Sequence, residues 1–97
     1  MSIEYSALLP LSRLSDIRRR VSGQMFGRFI QGARETRGRS IEETAWLAGM
    51  EASEWEAIEA GYVPADPGRL RSMAGALEMN WERMVTLARF CRQAWDR

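Results

Sequence analysis

Apolar residues recur along this chain at intervals of three and four, the spacing that gathers them on one side of an α-helix. Phe26, Phe29, Ile30 and Ala33 predict an amphipathic helix from about Gln24 to Arg37, stopped by Gly38. Upstream, Leu14, Ile17 and Val21 fit one face of a short basic helix, with Arg13, Arg18, Arg19 and Arg20 mostly elsewhere on it. Gly23 is expected to end or loosen that helix. The first dozen residues contain Pro10 and no sustained period, and they read as an arm.

Four further helices follow the same logic. Ser40, Ile41, Glu42 and Glu43 have the serine-to-glutamate spacing of a capping box, which opens a second helix carrying Ile41, Thr44, Ala45 and Ala48 on one side. Gly49 ends it, since glycine takes the left-handed backbone that a tight interhelical turn demands. A third helix begins between Glu51 and Ser53, holds Trp55 and Ile58 three apart, and stops at Gly61. Asp66 and Pro67 are a cap and a first-turn proline, opening a fourth helix striped by Leu70, Met73, Ala74 and Leu77. Asn80 caps a fifth, lined on one face by Trp81, Met84, Val85, Ala88, Cys91 and Trp95. Met25, Met50, Met73, Met79 and Met84 are expected to fill the core.

The 97 residues suit a single domain, divided into an arm or short basic helix over 1–23 and the main body over 24–97. Composition narrows the chemistry. Apolar residues make up 45% and charged residues 28%, which suits a folded soluble domain. No apolar run approaches the length of a membrane span, and Ala7–Leu11 is too short and too uncharged upstream for a secretory signal, so the cytoplasm is expected and a membrane partner is not. With one cysteine and no histidine there is no zinc ligand set, no internal disulfide and no common general base. Neither an enzyme nor a cofactor is expected.

Charge is informative through its distribution. Every basic residue is an arginine, and through Ser40 eight of them face three acidic residues, a local charge of +5. From Ile41 to Gly61 there are six glutamates and no arginine. A basic first part is thus joined to an acidic middle.

Short helix, glycine turn and short helix, followed by a loop and two more helices, resembles the Cro and phage-repressor (XRE) type of helix-turn-helix over roughly Phe26 to Val85. The carriers are Ile30 and Arg34, Ala45 beneath the turn, Gly49 within it, Trp55, Ile58, Glu59 and Gly61 in the third helix, and Leu70, Met73, Ala74 and Leu77 beyond. The resemblance implies an all-α, five-helix, lambda-repressor-like domain with an N-terminal extension that stays an arm or adds a helix. It implies an ion pair between Arg34 and Glu59. It also implies a dimeric DNA-binding transcriptional regulator with double-stranded DNA as partner.

In such proteins the start of the second helix touches phosphate and the third lies in the major groove. The matching third-helix positions are Glu51, Ala52, Ser53, Glu54 and Ala57, and Ser40 is the donor left at the start of the second. None of the five is a bidentate reader of guanine or adenine, and Glu51, Glu54 and Glu56 oppose a polyanion. Phosphate contacts would then fall to Arg18, Arg19, Arg20, Arg37 and Arg39; the alternative is that these arginines form a solvated face, with Arg18, Arg19 and Arg20 keeping an exposed helix soluble.

A second function class is a helix-turn-helix turned protein-interaction module, docking a basic partner through its acidic third helix and Trp46. Folding of the extension over Trp46, with Leu14, Ile17 or Val21 against the ring, is the favoured account of that residue. The long stripe on the fifth helix, ending at Trp95, suggests a homodimer contact or a fold back onto the N-terminal helix.

Overall fold

The computed structural model describes residues 11–93, with side chains from 16 to 92. It contains five helices among these residues: α1 (Leu11–Thr36), α2 (Ile41–Leu47), α3 (Ala52–Glu59), α4 (Pro67–Ala76) and α5 (Trp81–Gln93). The arm, the side chains of Arg13 and Leu14, and Trp95 lie outside what is described.

Helix ends follow local chemistry. The Ser40 hydroxyl accepts from the Glu43 amide at 3.0 Å, Asp66 accepts from the Arg69 amide at 2.9 Å, and Asn80 accepts from the Arg83 amide at 3.0 Å. At the start of α3 the residue in the cap position is Glu51, whose own amide donates to the Glu54 carboxylate at 3.3 Å. Gly49 has φ +71° in the turn between α2 and α3, where the Met50 amide returns to the Ala45 carbonyl at 2.8 Å.

The expected end at Gly23 is corrected: α1 runs unbroken through it for 26 residues. Gly23 and Gly27 lie one turn apart on the buried face, where their missing side chains let the α1 backbone touch that of α3 and the residues after it. A Cβ on Gly23 would collide with the Gly61 carbonyl oxygen, and one on Gly27 would stand 2.8 Å from the Glu59 carbonyl carbon and 2.9 Å from the Ile58 oxygen. Glycine here serves close packing, and the cost of glycine within a helix is offset by that contact.

Around this crossing Phe26 and Ile30 of α1 meet Ala45 of α2 and its C-cap Ala48, Trp55 and Ile58 of α3, Leu70, Met73 and Ala74 of α4 and its C-cap Leu77, and Met84, Ala88 and Cys91 of α5 in one core. Thr44 is also fully buried, and its hydroxyl donates to the Ser40 carbonyl at 2.7 Å. The stripe of α5 folds back onto the chain itself: Met84, Ala88 and Cys91 are buried, and α5 packs on both α1 and α4. Those three residues are therefore not left over for a second copy, while Trp81 of the same stripe is 39% exposed. Burial in this apolar setting pushes the Cys91 thiol pKa up.

Three other expectations are corrected. Phe29 is 44% exposed and Met25 61% exposed, because the buried side of α1 is set by Gly23, Phe26, Gly27, Ile30 and Arg34, and both residues fall outside that arc. Trp46 is 78% exposed, and Ile17 and Val21 are themselves about half exposed, so neither covers its ring.

The glycine contacts give a paired test. Gly27→Ala is expected to destabilise the fold by about 2 kcal/mol or more through overpacking against backbone. Gly32→Ala, where an added Cβ meets nothing within 4 Å, is expected to stabilise it by about 0.5–1 kcal/mol. Urea unfolding of both variants checks this, and equal effects would remove the close-packing account.

Candidate nucleic-acid interface

The surface that a duplex would meet is built on α2 and α3, and their mutual angle is set from beneath. Ala45 is buried at the turn, where a larger residue would part the two helices. From α1, the Arg34 guanidinium grips Glu59 with two parallel bonds, Nε to Oε2 at 2.6 Å and Nη2 to Oε1 at 3.1 Å. Its third arm donates to the Arg39 carbonyl at 2.9 Å, and Trp55 Nε1 donates to Glu59 Oε2 at 2.6 Å. Both charged side chains are nearly buried, with 11% and 9% of their surfaces exposed. The hydrogen bond that Arg34 donates to Glu59 raises the Arg34 pKa above its ordinary value, against the opposing effect of burial. One guanidinium thereby joins α1, α3 and the segment leading into α2.

On the outward side of α3, Glu51, Ser53, Glu56 and Ala57 are exposed, while Ala52 and Glu54 are half-buried. Glu54 differs from what its sequence neighbours suggest, because Arg69 at the start of α4 forms an ion pair with it. The pair is 39% and 42% exposed, so its contribution to stability is small, on the order of 0–1 kcal/mol. It does change the charge of the face: with Glu54 matched by Arg69 and Glu59 by Arg34, the acids left on α3 and its cap are Glu51 and Glu56. Arg69 and Tyr62 also join Glu54, Ala57 and Ile58 in lining a shallow groove beside α3. Sequence reasoning missed both residues, since no periodicity relates positions fifteen apart across a loop.

The five arginines expected at phosphate divide into two groups. Arg37 and Arg39 reach across to the end of α4: Arg37 donates to the Glu78 carbonyl at 3.2 Å, and Arg39 donates to the Ala76 carbonyl and to the Glu78 carboxylate, the latter at 2.8 Å. Glu78 is a non-glycine residue with φ +54°, a conformation that costs energy, and two guanidiniums at a helix C-terminus offset that cost. Arg39 keeps only 23% of its side chain exposed. Arg18, Arg19 and Arg20 stand on the outer turns of α1 and are exposed, with Arg19 at 4.0 Å from Asp16. Because Gly23 abuts Gly61, this group lies nearest the C-terminal end of α3, away from Glu51 to Ser53. Ser40 is exposed at the start of α2; its hydroxyl oxygen accepts from Glu43, leaving the O–H to donate.

No group of histidine, cysteine, aspartate and glutamate able to hold a metal occurs among the described residues, and no helix there is long and apolar enough to cross a membrane.

Removing Arg34 leaves Glu59 buried with Trp55 as its remaining donor, so Arg34→Ala is expected to cost about 3 kcal/mol or more. Chemical denaturation followed by tryptophan fluorescence measures the loss. A change below about 0.5 kcal/mol, the size seen for exposed pairs, would show that the pair does not hold the helices together.

A family model described as a helix-turn-helix domain matches residues 25–84. No curated protein and no solved structure matches the chain.

Proposed function

The chain belongs to the helix-turn-helix domain family, and on that premise we propose that it binds duplex DNA as a transcriptional regulator. The observation that carries the reading is the anchored presentation of α3: Glu51, Ser53, Glu56 and Ala57 are exposed on its outward side while Arg34, Glu59 and Trp55 fix it from behind. A rigid element that offers one end outward is what major-groove insertion requires. As a regulator of transcription it acts in the cytoplasm, beside the DNA.

The distribution of charge favours binding in which affinity and sequence reading are separated. Affinity comes from the exposed arginines of α1, Arg18, Arg19, Arg20 and Arg28, through release of counterions from phosphate. Ser40 adds a neutral phosphate contact at the start of α2. Sequence reading falls to Glu51, Ala52, Ser53 and Ala57, with a glutamate accepting from a cytosine amino group as the one charged reader available. Arg37 and Arg39 serve mainly by fixing the entry to α2 against the end of α4.

One observation favours a second reading. Trp46, with Glu42 and Glu43 beside it on α2, is an exposed aromatic in an acidic setting, suited to docking a basic protein. That role does not require the groove-facing side of α3.

Fluorescence anisotropy with generic duplex DNA and with the DNA upstream of its own coding region, over roughly 50–200 mM salt, tests the proposal, because counterion release is visible across that range. Binding is expected to weaken steeply with salt. Combined Arg18→Ala and Arg20→Ala substitution is expected to weaken it on every sequence and to lower the salt slope by about 2. Glu54→Gln, which releases Arg69, is expected to strengthen it several-fold. Absence of binding at the lowest salt would reject DNA as the partner and leave the Trp46 surface as the working site.

A further inference from the structure

Two exposed surfaces of this molecule are unused by its fold and complementary to each other. The first lies along α1. Every side chain from 16 to 21 is exposed, whichever way it points around the helix, so the outer turns of α1 project beyond the core. From these turns a stripe continues down the helix at steps of four: Ile17, Val21, Met25 and Phe29, each 44–61% exposed. Arg18, Arg20 and Arg28 stand around this stripe, all exposed.

The second surface is the outer side of α2, where the i to i+4 pairs Glu42 with Trp46 and Glu43 with Leu47. Trp46 is 78% exposed and Leu47 45%. No arginine lies between Ile41 and Gly61, so an apolar patch here is edged by acid where that on α1 is edged by base.

We propose that two copies of this chain associate reciprocally, the α1 stripe of each seating Trp46 and Leu47 of the other. The choice of occupant rests on charge. Pairing α1 with a second α1 would gather Arg18, Arg20 and Arg28 from both copies around one apolar seam, with only Asp16 and Glu35 as exposed acids on the described part of that helix. Pairing α1 with α2 sets those arginines against Glu42 and Glu43, and complementary charge of this kind fixes register and suppresses the like-with-like alternative. Trp46 supplies the aromatic anchor typical of an interface centre. In a two-fold pair the contact is made twice, so two modest patches act together. The inference does not depend on the DNA-binding reading, and loss of DNA binding would leave it standing.

Sedimentation velocity of the full chain across a wide concentration range, at low and high salt, is the test. A monomer–dimer equilibrium that tightens at low salt is expected. Val21→Asp with Met25→Asp on α1, and separately Trp46→Ala with Glu43→Arg on α2, are each expected to weaken self-association at least tenfold. All four positions are exposed, and circular dichroism verifies that the fold is kept. The decisive arm mixes the two variants: a reciprocal interface retains one intact contact between unlike copies, so the mixture should form heterodimers that neither variant forms alone. A monomer at every concentration would overturn the proposal. So would a dimer indifferent to the α2 variant, which would indicate α1 pairing with α1 or a contact elsewhere.

Discussion

The contact on which the rest of the molecule depends is the buried meeting of Arg34, Glu59 and Trp55. A guanidinium and a carboxylate withdrawn from water lose hydration that only close, directional bonding restores. Here two guanidinium bonds and an indole N–H satisfy the carboxylate, and the remaining guanidinium bond holds the Arg39 carbonyl. The net gain in stability need not be large. What the cluster supplies is a single permitted angle between α1 and α3, because any other crossing leaves a charge buried without a partner.

From that fixed point the rest of the working surface follows. The carbonyl that Arg34 holds belongs to the segment entering α2, and the side chain of the same residue, Arg39, secures the end of α4. The acidic middle of the sequence is then less repulsive in three dimensions than along the chain. Arg69 and Arg34 each match a glutamate on α3, and what remains is divided between Glu51 and Glu56 on α3 and its cap and Glu42 and Glu43 on the outer side of α2.

Much of this was legible in the sequence, because helix caps and three-four periodicity are local properties. Ser40, Gly49, Asp66 and Asn80 mark boundaries through backbone chemistry that a neighbour cannot easily override. The misjudged residues are those whose role depends on distant chain. Gly23 has the composition of a helix end, and only its contact with Gly61 shows it to be a packing seat. Phe29 and Met25 share the helical spacing of Phe26 and Ile30, but the buried arc is narrower than the apolar pattern, since glycine and arginine occupy part of it. Trp46 was expected beneath the extension, yet α1 continues straight past the crossing. Arg69 was invisible as a partner of Glu54 because the link crosses a loop.

Unbroken, α1 is about 39 Å of rod, and its two glycine seats and one ion pair all lie from its midpoint onward. Such a rod behaves mechanically as a cantilever. Lateral load on its free turns becomes torque at the seats, and there the first atoms to feel it are the backbone of Glu59 and Gly61, at the root of α3. The same stiffness that denies Trp46 a cover therefore couples whatever leans on Ile17 or Val21 to the tilt of the helix that faces outward.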